Sequence, residues 1–308
     1  MQVPLRLFSG HRRATLRATL ASIVAVAWLL LNGVVPARAA AVTGADAVNI
    51  RACPSVDCEV LATAPLGARL RVTGEAEGSF LPVRYSGVDG YAFDLYVTES
   101  GEEAPWLTSG EPGCQRVALI FNIGIGDPPS ETVVDTLLDR QVPATMFAMG
   151  WWAEEQPVYL RRLADEGFVI GSHGHNRQEL TTLDDTAIAA DLKAADEAIA
   201  RVTGNEPEPW FTPYAAASDP RVRAVVGAAG YLPVGWEVPA ADYGADATSA
   251  EVYDRVMSNI YDGAIVEMHL DGPATEWSTA EALPWIIDEL EAEGYDFVTV
   301  PEMATPCA

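Results

Sequence analysis

From Val117 to Val300 the chain repeats one alternation, a short run rich in Val, Ile, Ala or Phe followed by a longer stretch with helical spacing of apolar residues. The short runs are Val117–Phe121, Ala144–Met149, Phe168–Gly171, Trp210–Pro213, Leu232–Trp236, Ala264–His269 and Phe297–Val300. Apolar strands joined by helical crossovers predict parallel pairing, because the crossover brings the chain back in the same direction and its helix covers the outer face of the sheet. The sheet is then either open or closed into a barrel. In both cases ligand sites belong at the carboxyl ends of the strands. Helix starts are marked by Ser218-Asp219-Pro220, which places proline in a first turn, and by Thr248-x-x-Glu251 and Ser278-x-x-Glu281, both with the spacing of a capping box.

The region before it reads differently. Between Val42 and Thr98, runs at Ala47–Arg51, Leu70–Gly74, Phe80–Tyr85 and Tyr91–Val97 are separated by Gly, Pro and Asp, which predicts a small all-β unit. Residues 99–113, with Glu99, Glu102, Glu103, Pro105, Glu111 and Pro112, read as an acidic linker. The second domain is expected over 114–303, followed by a tail at 304–308.

Residues 1–39 carry Arg6, Arg12, Arg13, Arg17 and Arg38, no acidic residue, an apolar run from Leu20 to Leu31 and the small-residue site Ala37-Arg38-Ala39. This is the layout of a secretory leader, and its apolar run falls short of the ~20 residues that span a bilayer. Export without a retained membrane span is therefore expected, to a secreted or cell-envelope location. Cleavage would remove five of the 19 basic charges and none of the 44 acidic ones, leaving a net charge of about −30. So acidic a surface repels phosphate backbones, and nucleic acid is not an expected partner. Cys53, Cys58, Cys114 and Cys307 are expected to form disulfides in an exported chain. Cys53 and Cys58 are near enough for a local bridge and Cys114 and Cys307 flank the second domain, while three pairings remain open to sequence.

Val48-Asn49-Ile50-Arg51-Ala52-Cys53-Pro54-Ser55, Pro65-Leu66-Gly67, Leu81-Pro82-Val83-Arg84-Tyr85 and Gly90-Tyr91-Ala92 resemble a bacterial SH3-like domain. Such domains commonly bind cell-wall peptides or glycans. The second region resembles the polysaccharide deacetylase family, that is, the NodB-homology domain or carbohydrate esterase family four. The resemblance rests on Val142-Pro143-Ala144-Thr145-Met146-Phe147, on Glu166-Gly167-Phe168-Val169-Ile170-Gly171-Ser172-His173-Gly174-His175 and on Gly294-Tyr295-Asp296-Phe297-Val298-Thr299-Val300. It implies a distorted (β/α) barrel of about seven parallel strands behind the small all-β domain. It also implies an N-acetylated cell-wall or extracellular glycan as partner.

Active members of that family use a divalent metal, often zinc, held by one Asp and two His, with a second Asp as base and a later His as acid. The metal makes bound water nucleophilic near neutral pH. Here the Thr-Phe-Asp-Asp-Gly motif stands as Ile120-Phe121-Asn122-Ile123-Gly124. Asn122 occupies the base position with a neutral amide, and Ile123 occupies a ligand position with no lone pair. In the His-x-x-x-His motif His173 is retained as a ligand, whereas Arg177 replaces the second histidine and cannot bind a cation. Arg177 could instead grip a ligand carboxylate through two hydrogen bonds. Thr212-Pro213 stands for Arg-x-Pro, without the charge that orients the base, and no aspartate is evident around Trp236-Glu237-Val238-Pro239. His269 keeps the acid position. Glu267, two residues before it, shares its face of the strand.

These replacements imply a glycan-binding pseudoenzyme without a resident cofactor. Arg177, Glu267, Thr212 and Trp236 are its expected ligand-contacting residues. Zinc or another divalent metal enters only if ligands regroup around His173, His175, Glu267 or Asp127, which would preserve a deacetylase. A third reading keeps the barrel as a scaffold and gives binding to the SH3-like domain.

Overall fold

The structure is a computed structural model that describes residues 37–307 apart from residue 101. Positions 1–36, most of the expected leader, lie outside the described residues. The first sheet contains β1 (Arg38–Val42), β2 (Ala47–Arg51), β3 (Val60–Pro65), β4 (Arg69–Val72), β5 (Phe80–Tyr85), β6 (Val88–Phe93) and β7 (Val97–Glu99), in the order β3-β2-β6-β5-β4-β1-β7. Every pairing within it is antiparallel. Its core is Val42, Val48, Ile50, Leu70, Val72, Leu81 and Val83, the alternate residues of their strands. Arg38 and Ala39, read from sequence as leader, form the start of β1 opposite Val72 and Arg71. Sequence reasoning also missed β3, whose Val60 and Leu61 are exposed.

The second sheet is parallel throughout. It contains β8 (Arg116–Ile123), β9 (Ala144–Ala148), β10 (Val169–Ser172), β11 (Trp210–Phe211), β12 (Leu232–Pro233), β13 (Val238–Pro239), β14 (Ala264–His269) and β15 (Asp296–Val298). Seven of these run β12-β11-β10-β9-β8-β14-β13 and curl into a half-barrel, as expected. The last, β15, pairs with Arg116–Ala118 of β8, below the stretch Leu119–Ile123 that pairs with β9. Around the sheet lie α1 (Glu131–Arg140), α2 (Gly150–Glu155), α3 (Pro157–Asp165), α4 (Asp185–Thr203), α5 (Pro220–Ala228), α6 (Ser249–Asn259), α7 (Thr279–Glu293) and α8 (Val300–Met303).

Side-chain alternation on β8 fixes what each residue can reach. Val117, Leu119, Phe121 and Ile123 pack outward with the apolar faces of the surrounding helices, including Val133, Val134 and Leu137 of α1. Ala118 and Ile120 face the barrel interior with Ile265 of β14 and Trp210 of β11. Asn122 continues that inner row. On β14 the same period sends Ala264, Val266 and Met268 outward and leaves Glu267 and His269 in register with the inner face.

Three local expectations meet different outcomes. Thr248 and Glu251 form the full capping box of α6, and Asp219 caps α5 by accepting from the Val222 amide. Ser278 does not cap α7; its hydroxyl donates to the Ala274 carbonyl, and Glu281 accepts instead from Ser249. The competing helical-turn acceptor four residues back satisfies the serine, a known alternative to capping. The acidic linker is tied to the barrel, since Leu107 bridges Val234 and Ser109 bridges Ala264.

Both disulfides form between Cys53 and Cys58 and between Cys114 and Cys307. The second joins residues 193 apart, which removes much of the unfolded chain's freedom. The two domains touch where the Gly44 amide donates to Gly230 at 3.0 Å and the ring of Tyr96 meets Trp210 edge-on. Gly44 has φ +69, and a Cβ there would stand 2.3 Å from that of Leu232, so both conformation and contact require glycine.

Candidate functional site

The register of the parallel strands gathers the polar residues at one end. His269 lies opposite Asn122, and Ser172 lies opposite Phe211, so His173 and Thr212 follow side by side. Asn122, Gly124, Ile125, His173, Tyr214, Trp236, Tyr243, Glu267 and His269 help line a cleft of about 470 Å³.

A continuous hydrogen-bonded row crosses its floor. The His173 Nδ1 sits 2.8 Å from both the carbonyl and the hydroxyl of Thr212. Since a carbonyl only accepts, Nδ1 carries the proton, and in the neutral ring Nε2 keeps the lone pair. Burial, more than any charge, lowers the His173 pKa to about 3, so the ring is neutral. The Thr212 hydroxyl donates to Asn122 Oδ1 at 2.8 Å, and Asn122 Nδ2 donates to Glu267 Oε1 at 3.2 Å. Thus the two neutral replacements, Asn122 and Thr212, bond to each other.

The opposite wall is charged. His269 Nε2 stands 3.2 Å from Glu267 Oε1, and its Nδ1 stands 2.8 Å from Asp242 Oδ1. Asp242 is fully buried and accepts in addition from the His269 amide and the Thr279 hydroxyl. Burial opposes the charge on His269, but Asp242 beside it outweighs that effect and raises its pKa to about 9. Burial raises the Glu267 pKa to about 7, although His269 pulls it down. Burial works against Asp242 too, yet the His269 charge and its hydrogen bonds hold it below the usual carboxylate range.

Asp242 was not found by sequence reasoning, which looked near Trp236–Pro239. The missed strand β13 ends at Pro239, and Ala241, at φ +51, then turns the chain so that Asp242 meets His269. A non-glycine residue in that region costs about 1 kcal/mol or more. Asp271 was missed as well. Its carboxylate accepts from the amides of Gly124, Ile125 and Gly126 at 2.9–3.2 Å and so shapes the loop that follows β8. Gly124, at φ +149, would place a Cβ 2.5 Å from the sulfur of Met149.

Other predicted residues lie apart from the cleft. Ile123 is fully buried against the helices. Arg177 donates to the Ile125 carbonyl and lies over the Trp151 ring at 4.5 Å, outside the lining. His175 packs against Gly150, where its Nδ1 has no hydrogen-bond partner, while its amide donates to Asp191. Asp127 is not among the lining residues either. Of the tryptophans, Trp152 and Trp210 are core residues, Trp277 is 53% exposed, and Trp236 lines the cleft.

The donors present do not fit the divalent metal that the resemblance implies. His173 offers one nitrogen, the Ile123 position offers none, Arg177 is a cation, and His175 is directed away from the cleft. No three His, Cys, Asp or Glu side chains converge on a point among the described residues. Glu267 is bound to Asn122 and His269 instead.

Residues 109–234 match the family model for polysaccharide deacetylase, and residues 46–98 match that for the bacterial SH3 domain. The uncharacterized protein YlxY of Bacillus subtilis is 29% identical over 197 residues, 64% of this chain and 60% of its own length, so the match leaves two fifths of that relative uncovered. A crystal structure of the Bc1960 peptidoglycan N-acetylglucosamine deacetylase superposes with a TM-score of 0.60 at 26% identity, covering 66% of this chain and 94% of that one. A BA3943 mutant, described as a pseudoenzyme of carbohydrate esterase family four, superposes at 0.60 with 21% identity over 84% of this chain and 93% of that one, a likeness of fold.

Proposed function

With a polysaccharide deacetylase domain and a bacterial SH3 domain in one chain as the premise, we propose that the protein is an exported, cell-envelope glycan-binding pseudoenzyme. One observation carries this reading. The base position is an amide hydrogen-bonded on both sides, to Thr212 and to Glu267, in a cleft that remains open. A carboxamide is not basic near neutral pH, so Asn122 cannot take a proton from water, and its hydrogen bonds to Thr212 and Glu267 fix it in place. The cleft nevertheless offers Tyr214, Trp236 and Tyr243 as rings against which sugars stack. In this reading the SH3-like domain adds a second wall contact, and a short interdomain link at Gly44 and Tyr96 holds the two together.

A second reading, an active deacetylase, is favoured by the Asp242–His269 pair, which keeps an acid-competent imidazolium at the expected place. The test is a binding titration with N-acetylated wall oligosaccharides run beside an acetate-release assay and a zinc determination after dialysis. Binding without acetate release and without stoichiometric zinc supports the pseudoenzyme. One equivalent of zinc together with acetate release overturns it.

A further inference from the structure

Glu267 is a buried carboxylate that the pseudoenzyme reading does not explain. It is 4% exposed and lies on the inner face of β14. Asn122 Nδ2 donates to Oε1, and the ion-pair contact with His269 Nε2 at 3.2 Å is also at Oε1. Oε2 has no protein partner, and it is not among the buried atoms cut off from solvent, so it opens into the cleft that Glu267 lines.

The charges around it do not cancel. His269 supplies one positive charge, which it shares between Asp242 and Glu267. Asp271, the next acidic group, is held by three backbone amides and adds no positive charge. Arg177 is turned onto Ile125 and Trp151 and does not enter the cleft. With Glu267 ionised, the floor therefore carries a surplus of negative charge in a cleft lined by three aromatic side chains. Tyr243 sits edge-on to His269 with ring centroids 5.8 Å apart, and Tyr214 and Trp236 form further parts of the lining. A carboxylate oxygen in a cleft lined by aromatic rings is the chemistry that receives an ammonium group, through a charge-assisted hydrogen bond and attraction to ring faces. An acetamido group offers only a neutral N–H and would leave the carboxylate's charge uncompensated.

We propose that the cleft selects the free primary ammonium of a 2-amino sugar, the group exposed once an N-acetyl group has been removed, and that Glu267 Oε2 is its acceptor. The chain then recognises glycan that a deacetylase has already processed. This proposal rests on the glycan-binding reading and gives it a substrate class.

The experiment is calorimetric titration of the whole protein near neutral pH, in chelator, with glucosamine tetramer, N-acetylglucosamine tetramer and a lysine-containing tetrapeptide. Wild type is compared with Glu267→Gln and Trp236→Ala. The expected result is about a tenfold preference for the amino tetramer over the acetylated one. Glu267→Gln brings the two within about twofold, and Trp236→Ala weakens both. The wild-type preference decides the matter even if Glu267→Gln folds poorly. Equal or tighter binding of the acetylated tetramer overturns the ammonium assignment and leaves glycan binding intact. Equal affinity for the peptide overturns the amino-sugar assignment in favour of a peptide amine. No binding of either tetramer overturns both the selectivity and the glycan reading.

Discussion

The two walls of the cleft have opposite chemistry. On the wall formed by β8, β10 and β11, Asn122, Thr212 and His173 make a neutral row, and the neighbouring Ile123 belongs to the core. On the β14 wall, Asp242, His269 and Glu267 form a charged row, with Asp242 fully buried and Glu267 and His269 lining the cleft. The difference teaches that the neutral wall is completed by its own replacements. Asn122 and Thr212 satisfy each other, and Ile123 fills space between sheet and helices. A merely damaged site would leave buried polar groups unpaired, each at a cost of about 1–3 kcal/mol.

The sharpest test of this contrast is Ile123→Asp. It places a carboxylate among Val133, Met149 and Trp152 on the helix-facing side, and destabilisation by about 4 kcal/mol is expected in denaturant titration. A loss below about 1 kcal/mol would mean that the position still opens toward a ligand, and the contrast would fail. For the same reason the double change Ile123→Asp, Arg177→His is not expected to recover zinc binding by elemental analysis.

Asp242→Asn attacks the charged wall. Removing one partner of a buried pair is expected to destabilise by about 3 kcal/mol. The pH dependence has a definite sign. His269 rises from 6.5 to about 9 on folding, so its contribution is full below about 6.5 and is lost as pH rises through about 9. Glu267 acts in the same direction. Its folded pKa of about 7 exceeds the ordinary 4.5, so stability also falls as pH rises across that interval. Midpoints measured from pH 5 to 10 should decline for wild type, and the upper part of the decline should vanish in Asp242→Asn. A flat wild-type profile would remove the charge from this wall.

Thr212→Val probes the neutral row at lower cost. It deletes the hydroxyl between His173 and Asn122, with about 1–2 kcal/mol lost and no change in pH profile. An altered profile would show that the two rows titrate together. Arg177→Ala should have the smallest effect, about 0.5–1 kcal/mol from the exposed contact with Trp151. Its glycan affinity should stay within about twofold. A larger loss would return Arg177 to a ligand-gripping role.

Much of this architecture was legible in the residues. The alternation of apolar runs and helical spacing gave seven of the eight parallel strands, because strands buried on both faces must be apolar along their whole length. Strand β13 escaped notice because Val238 and Pro239 follow β12 with no helical stretch between them to mark a new strand. Asn122, Ile123, His173 and His269 stand out in the sequence because each is picked by its immediate neighbours, and the structure brings Asn122, His173 and His269 to one cleft. Asp242 and Asp271 could not. Each acts on residues more than twenty positions away, through a left-handed turn at Ala241 in one case and a loop of amides in the other.

By itself, then, the sequence determined which side chains stand at the ends of which strands, because strand period and motif spacing are local properties. By the resemblance to the deacetylase family, it also puts an amide, a hydrocarbon and a guanidinium at the base and two ligand positions, which is what the pseudoenzyme proposal rests on. Only the tertiary structure decided where those side chains point and what they bond. Parallel register set His269 beside Asn122, alternation sent Ile123 into the core, and long-range hydrogen bonding gave His269 its partner in Asp242 and left one oxygen of Glu267 facing the cleft. Such interactions depend on distances in space between distant segments, and those distances exist only after the sheet has closed around the site.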